Sequence, residues 1–172
     1  TLIYDIANKK IKKSFREFIK PTSDYKYDPI EFQQVVKQCV KNCSIGDKKI
    51  GLFLSGGMDS SMISKELLDI TGEVNSFTNK FTPDPNTYEE DYNEDAKMAK
   101  RLAKDFGYNH REIDITPEIY ASYWDQSVIS VEQLIRTPTL PANLYTNKIM
   151  KDHDIKVTLA GDLGDELMCG LS

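Results

Sequence analysis

The chain has 172 residues, the size of one globular domain with a core of its own. Its 40% hydrophobic and 28% charged residues exclude collagen-like, low-complexity and wholly disordered chains. The 22 basic and 27 acidic residues give a net charge of −5, which does not favour nucleic acid as a partner, and no apolar stretch reaches the ~20 residues that span a bilayer. We therefore expect a cytoplasmic protein that binds neither nucleic acid nor a membrane.

The first 27 residues differ in pattern from the rest. Apolar residues in 2–6 and 11–15 flank the turn-forming pair Asn8-Lys9, an arrangement that favours a β-hairpin. The alternative is a single helical face made by Ile11, Phe15, Phe18 and Ile19. We predict the hairpin and keep the helix as the second interpretation.

A helix is predicted to begin at Pro29. Asp28 before it is an N-cap residue, and Glu31 completes a capping box. Apolar side chains follow at helical spacing, namely Phe32, Val35, Val36, Cys39, Val40 and Cys43. We therefore expect Cys39 and Cys43 in the core, as reduced thiols.

Strand and helix patterns then alternate four times. Short apolar strands are predicted at 49–54, 74–78, 111–115 and 155–160. Helical patterns lie between them, one ending at Thr71-Gly72, one at 93–106, one starting at Thr116-Pro117 and one near 144–150. This alternation predicts an α/β fold in which a parallel sheet carries helices on both faces. Ligands of such sheets bind beyond the carboxyl ends of the strands, here after Leu54, Thr78 and Ala160.

The most specific signal is the run LSGGMDSS at 54–61, between a predicted strand and a predicted helix. Its two glycines let the backbone approach a ligand, and successive N–H groups at a helix N-terminus attract an anion. The run lacks the lysine of a Walker A loop. Ser55 and Ser60 can add hydroxyl donors, whereas Asp59 would repel a phosphate unless a divalent cation lay between them. The run therefore predicts a phosphate-binding loop with magnesium at Asp59.

This run resembles the SGGxDS pyrophosphate loop of the ATP pyrophosphatases, which cleave ATP to AMP and pyrophosphate. A second run, TLAGDLGDEL at 158–167, resembles the SGEGxDEL loop of the asparagine synthetase family. The likeness extends over about residues 48–172. It implies the adenine nucleotide alpha hydrolase-like (HUP-type) fold with ATP and Mg²⁺ as cofactors, and a chain that stops short of the family's C-terminal region.

The resemblance also implies roles for individual residues. Those lining the adenosine, partly through backbone groups, would be Phe53, Thr78, Asn79, Ala160 and Gly161. Those holding the pyrophosphate would be Ser55, Gly56, Gly57, Asp59 and Ser60. Asp59 and Asp165 would bind Mg²⁺. Asp162, the predicted catalytic residue, stands where the family has a glutamate that assists acyl-adenylate and amide formation.

The family implies an ATP-dependent amide-forming ligase. Such enzymes activate a small-molecule carboxylate as an acyl-adenylate, and the activity expected first is asparagine synthesis from aspartate with ammonia derived from glutamine. The ammonia would come from a glutaminase domain in cis or in trans. Residues 1–27 would then be the tail and linker of that domain, and 28–172 an incomplete ATP-binding synthetase domain. A homodimer is one arrangement open to the protein.

Two departures from the family pattern leave the acceptor open. Asp162 is one methylene shorter than the family's glutamate, and Cys169 stands where the family often has glycine. The alternatives are an amidotransferase or a cyclase that acts on a sugar acid, a peptide or a β-lactam precursor. An alternative of another class is a nucleotide-binding module without catalysis. Arg136, in a proline-rich loop, is a candidate contact to a carboxylate or a phosphate.

Overall fold

The computed structural model describes residues 2–13, 26–82, 93–133, 137–162 and 164 of the chain. Its internal contacts divide the chain into two compact units, Thr1–Phe32 and Gln33–Ser172. The predicted boundary between residues 27 and 28 stays a prediction.

The first unit contains a β-hairpin. Strand β1 (Leu2–Asp5) pairs antiparallel with β2 (Lys10–Lys13). In the turn, the Asp5 carboxylate accepts the backbone N–H of Asn8 at 3.0 Å and its side-chain amide at 3.1 Å. The predicted hairpin is confirmed, although residues 14 and 15, predicted to end its second strand, lie outside the described residues.

The second unit alternates helices and strands. Its helices are α1 (Pro29–Cys43, which begins in the first unit), α2 (Met58–Thr71), α3 (Glu94–Phe106), α4 (Pro117–Ser122), α5 (Trp124–Val131) and α6 (Leu140–Asp152). Its strands are β3 (Lys49–Phe53), β4 (Asn75–Phe81), β5 (Asn109–Ile115) and β6 (Ile155–Leu159). The four strands form one parallel sheet in the order β5-β4-β3-β6. None of the described helices combines the length and the apolar character needed to cross a lipid bilayer.

Helices pack on both faces of this sheet. One face is covered by α1, α2 and α3, and its buried core includes Val40, Leu52, Leu54, Leu67, Ala99 and Ala103. The other face is covered by α6, and its buried core includes Phe77, Ile113, Ala142 and Met150. The predicted α/β architecture, a parallel sheet with helices on both faces, is therefore confirmed.

The apolar stripe predicted for α1 is only partly buried. Val36 and Val40 pack in the core, whereas Val35 is 54% exposed and Cys39 and Cys43 are exposed free thiols. The prediction that both cysteines are core residues is wrong. One residue corresponds to about 100° around a helix, so Val35 and Cys39 lie about 100° away from Val36 and Val40, respectively. Cys43 lies on the same side of the helix as Val36 but is the last residue of α1.

Strand β4 is longer than its sequence pattern predicts. The apolar run predicts 74–78, whereas the strand covers Asn75–Phe81 and pairs with β5 along that whole length. Strand β3 accompanies it only as far as the pair Phe53 and Phe77. Beyond Phe77, no strand among the described residues lies beside β4 on its β3 side.

The side chain of His110, on β5, is half buried. Its Nδ1 lies 3.0 Å from Ser76 Oγ on β4, and its Nε2 is buried and has no hydrogen-bond partner among the residues that the structure describes. Burial lowers the pKa of His110, the Glu112 carboxylate opposes this shift, and the Lys100 ammonium adds to it. Because the unfolded chain then takes up the proton more readily than the folded chain, the folded state loses stability as the pH falls below the ordinary histidine pKa of about 6.5.

We expect the free energy of unfolding in urea to decrease between about pH 7.5 and about pH 5.5 because of this histidine. The variant His110→Gln removes the titrating group, so its stability should depend less on pH than that of the unchanged protein. His153→Gln, at the second and exposed histidine, makes the same substitution elsewhere in the chain and is measured over the same pH range as the control. Equal pH dependence in the unchanged protein and His110→Gln would contradict this assignment.

Candidate active site

The carboxyl ends of β3, β4 and β6 open into one pocket of about 700 Å³, completed by α6 and the first turn of α3. Its lining includes the following residues predicted from the sequence: Phe53, Ser55, Gly57, Asp59, Ser60, Thr78, Asn79, Ala160, Gly161 and Asp162. Gly56, between Ser55 and Gly57, is not part of the lining, and Asp165 lies outside the described residues. The loops predicted after Leu54 and Ala160 therefore meet at one place, together with the residues that follow Thr78, which belong to strand β4 and not to a loop.

The loop between β3 and α2 is held in shape by its own serines. Ser60 Oγ accepts the backbone N–H of Ser55 at 3.3 Å and lies 3.0 Å from Ser55 Oγ. Ser55 Oγ in turn accepts the N–H of Gly57 at 3.2 Å. These bonds preorganise the loop, and they place two hydroxyl groups side by side at the pocket.

Gly56 allows this loop to lie directly on helix α3. Its φ is +80°, a left-handed conformation that side chains disfavour. A Cβ atom here would stand 2.6 Å from Met98 Cβ and 2.7 Å from the backbone N of Ala99. Glycine is therefore required at this position for two independent reasons, backbone conformation and space.

The first turn of α2 faces the same pocket. Gly57 is the N-cap residue, and within the described part of the chain the helix has no side-chain cap hydrogen bond at this end. These N–H groups are therefore available to an anion, and the helix dipole adds about half a positive charge. Asp59 lies in this turn, so an anion bound here would also face a carboxylate.

The loop after β6 packs against Asp59. A Cβ atom on Gly161 would stand 3.0 Å from Asp59 Cβ and 3.1 Å from the backbone N of Ser60. A Cβ atom on Gly164 would overlap the Asp59 carboxylate itself. The carboxylate of Asp59 therefore lies against the residue that precedes Asp165 in the chain.

The edge of β4 leaves one backbone position open at the pocket. Leu54 N–H donates to Phe77 O at 2.9 Å, and the Thr78 hydroxyl donates to Leu54 O. Backbone groups alternate sides along a strand, so the N–H and C=O of Asn79 point to the same side as those of Phe77. Strand β3 has ended there, and Asn79 lines the pocket. A hydrogen-bond donor and an acceptor thus face the pocket together.

Comparison with known proteins decides the family. The family model for asparagine synthase matches residues 31–172. The chain belongs to the asparagine synthase family. It is 28% identical over 140 residues to the glutamine-hydrolysing asparagine synthetase of Bos taurus. That match covers 76% of this chain and 23% of the Bos taurus protein. It is 26% identical over 137 residues to the glutamine-hydrolysing asparagine synthetase of Gallus gallus. That match covers 78% of this chain and 24% of the Gallus gallus protein. The chain spans about a quarter of the length of these curated relatives.

Solved structures support the fold expected for an asparagine synthase family member. The ammonia-dependent NAD synthetase of Campylobacter jejuni superposes with a TM-score of 0.54 at 18% identity, covering 85% of this chain and 62% of that one. The NMN synthetase of Francisella tularensis gives a TM-score of 0.50 at 16% identity, with 77% and 54% covered. The predicted HUP-type fold is therefore confirmed.

In this asparagine synthase family member, helix α6 holds the side chain of Asn79. Asn79 Nδ2 donates to Asn143 Oδ1 at 2.8 Å, and Thr146 Oγ1 donates to Asn79 Oδ1 at 2.5 Å. Thr146 is fully buried. The side chain of Asn79 is thereby turned towards α6, and its backbone groups are the ones presented to the pocket.

Several polar residues at the pocket were not predicted from the sequence. Asn143 and Asn147 line it from α6, Thr139 lines it from the N-cap position of that helix, and Asp95 lines it from α3. The first three are spaced by four residues, which places them on one helix face. That spacing was readable in the sequence, but only the packing of α6 against β4 tells which face meets the pocket.

The remaining predicted residues divide into two groups. Asp162 lies in the pocket lining, and its side chain is exposed. Arg136 and Cys169 lie outside the described residues, as Asp165 does. The catalytic role of Asp162 and the metal-binding role of Asp165 stay predictions.

Proposed function

We propose that this protein is an ATP-dependent ligase that activates a carboxylate as an acyl-adenylate and joins it to an amine nitrogen. The observation that carries the proposal is the meeting of the two glycine-containing loops at Asp59, in a pocket that also contains the open edge of β4. One end of the pocket thus suits phosphate and metal, and the other suits a base. Membership of the asparagine synthase family supports the same assignment.

The adenine ring of ATP would bind at Asn79. The backbone N–H would donate to N1 of the ring, and the backbone C=O would accept from the 6-amino group. Phe53, Ala160 and Gly161 line the same pocket and would contact the adenosine. Adenine presents an acceptor, N1, beside a donor, the 6-amino group, and so complements this pair of backbone groups.

The phosphates would bind at the loop between β3 and α2. Ser55 and Ser60 offer hydroxyl groups there, and the first turn of α2 offers backbone N–H groups. Gly57 lets the ligand approach the backbone closely. Because these donors are held in place before the reaction, they stabilise negative charge as it moves onto the departing pyrophosphate.

The residues around Asp59 fit magnesium. A carboxylate is a hard oxygen ligand of the kind this ion prefers, and Asp59 lies against Gly164, next to Asp165 in the chain. We assign Asp59 and Asp165 to the ion. When bound, Mg²⁺ neutralises charge on the phosphates of ATP.

The reaction would proceed in two steps. A carboxylate oxygen of the acceptor attacks the α-phosphorus, and the bond between this phosphorus and the pyrophosphate oxygen breaks. The amine nitrogen then attacks the acyl carbon, AMP leaves with the oxygen that joined the two groups, and the nitrogen gives up a proton. Asp162 is exposed in the same pocket and would accept this proton as the general base.

Aspartate is the first candidate acceptor, with ammonia supplied from glutamine by a glutaminase domain in cis or in trans. Residues 1–27 would be the tail and linker of that domain. Asp162 is shorter than the glutamate of the family pattern, which favours testing a bulkier acceptor as well, such as a sugar acid, a peptide or a β-lactam precursor. A shorter side chain leaves more space between the loop and the reacting atoms.

We expect the full-length protein to release pyrophosphate, and not ADP, from ATP when it is given Mg²⁺, ammonia and the correct carboxylate from a panel that includes aspartate. If aspartate is correct, asparagine accumulates with the pyrophosphate. A large gain of asparagine formation in Asp162→Glu would count against a bulkier native acceptor. ATP binding without pyrophosphate release on any carboxylate would instead favour a nucleotide-binding module without catalysis.

A further inference from the structure

Asn93 occupies the N-cap position of α3 but does not cap the helix with its side chain. Instead its Nδ2 donates to Phe81 O at 2.8 Å, and its Oδ1 accepts the N–H of Phe81 at 2.8 Å. Asparagine at an N-cap ordinarily stabilises a helix by about 1 kcal/mol through a bond to the first turn. Here both ends of the amide are bound to the backbone of one residue of β4.

These two bonds take the place of a neighbouring strand. Phe77, Asn79 and Phe81 direct their backbone groups to the same side of β4, because alternate residues of a strand do so. Phe77 is bonded to Leu54 of the chain leaving β3, and Phe81 is bonded to Asn93. Asn79, between them, is the position left open. The two bonded residues hold the edge straight on either side of it.

We propose that Asn93 is a positioning residue for the purine base of the bound nucleotide. Its amide holds the end of β4 where β3 no longer supports it, and this keeps the N–H and C=O of Asn79 directed into the pocket. It also occupies the backbone groups of Phe81, which would otherwise offer a second donor and acceptor about 6.6 Å further along the strand. The proposal rests on the proposed function, since it presumes that a nucleotide binds here.

A merely structural role for Asn93 would affect the whole site, whereas the proposed role affects the base and not the phosphates. The loop that would bind phosphate contacts α3 through Met98 and Ala99, one turn beyond Asn93 and its bonds to Phe81. Loss of the amide should therefore weaken recognition of the 6-amino group and leave the phosphate loop intact. The two halves of the ligand can be measured separately.

The test uses the full-length protein and three probes, namely ATP, purine riboside triphosphate, which lacks the 6-amino group, and inorganic pyrophosphate, each with Mg²⁺. In Asn93→Ala we expect ATP to bind about 3- to 10-fold more weakly, the change that one neutral hydrogen bond produces. The preference for ATP over purine riboside triphosphate should fall by a similar factor. Pyrophosphate binding should change by less than about twofold.

Asn93→Asp keeps the size of the side chain and the acceptor for Phe81 N–H but removes the donor to Phe81 O. The preference for ATP over purine riboside triphosphate should therefore fall in this variant too. It provides the test if Asn93→Ala does not fold. Asn109→Ala is the matched control, because Asn109 places an exposed amide near Asn75 at the opposite end of β4. An unchanged preference for ATP, or equal weakening of ATP and pyrophosphate, would overturn the role of Asn93 alone. Failure of the unchanged protein to bind ATP would overturn the proposed function as well.

Discussion

Replacing Asp59 by asparagine is expected to weaken binding of Mg·ATP by about 100-fold, or ~2.7 kcal/mol, while metal-free ATP binds as well as before or better. Asparagine is nearly the same size, so the packing of Gly161 and Gly164 against this side chain is preserved. What is lost is the negative charge that would hold the ion. Titration calorimetry with ATP, in excess Mg²⁺ and then in excess chelator, separates the two affinities.

The control for this variant is Asp69→Asn on the same helix. Asp69 is exposed and pairs with Lys65 at 2.5 Å, away from the pocket lining, so its loss should leave Mg·ATP binding unchanged. If Asp165 shares the ion, the double variant Asp59→Asn, Asp165→Asn should lose less affinity than the sum of the two single losses. Strictly additive losses would remove Asp165 from the metal site.

Gly56→Ala is expected to cost about 2–4 kcal/mol of stability and to abolish nucleotide binding. The added methyl group meets Met98 and the backbone of Ala99, and the residue must also keep a φ of +80°. Backbone atoms of a helix cannot move aside cheaply, so the loop between β3 and α2 would shift. Urea unfolding and ATP titration of the same preparation measure both effects.

Gly72→Ala separates the steric cost from the conformational cost. Gly72 has a φ of +77°, almost the same as Gly56, but no atom lies within 4 Å of a Cβ built there. We expect the free energy of unfolding of this variant to fall by about 1 kcal/mol and its affinity for ATP to stay unchanged. If both glycine variants were equally stable, or if Gly56→Ala kept its ATP affinity, the close packing of the loop on α3 would not matter for the site.

The positions of the strands could be predicted because local signals in the chain agree with one another. The apolar run 49–54 ends at two glycines before a helical pattern, and it forms β3 and the loop before α2. The carboxyl ends of parallel strands must lie at one edge of the sheet, so the sequence alone predicts that the ends of β3, β4 and β6 lie close together. The individual pocket residues were predicted from the resemblance of the two glycine-containing runs to the asparagine synthetase family.

Features that depend on packing partners could not be predicted in the same way. Cys39 and Cys43 continue an apolar stripe, but only Val36 and Val40 of that helix meet the sheet, and periodicity does not say how wide a contact will be. The extension of β4 to Phe81 is stabilised by Asn93, which lies twelve residues further along the chain. Such a bond leaves no periodic trace in the sequence.

The central claim, that this pocket forms an acyl-adenylate, is tested most directly by following an oxygen atom. The acceptor carboxylate identified with the full-length protein is labelled with oxygen-18 and supplied with ATP, Mg²⁺ and ammonia, and the phosphate products are analysed by mass spectrometry. Attack of the carboxylate on the α-phosphorus predicts one labelled oxygen in AMP and none in pyrophosphate. Label in inorganic phosphate, with ADP as the nucleotide product, would contradict the account.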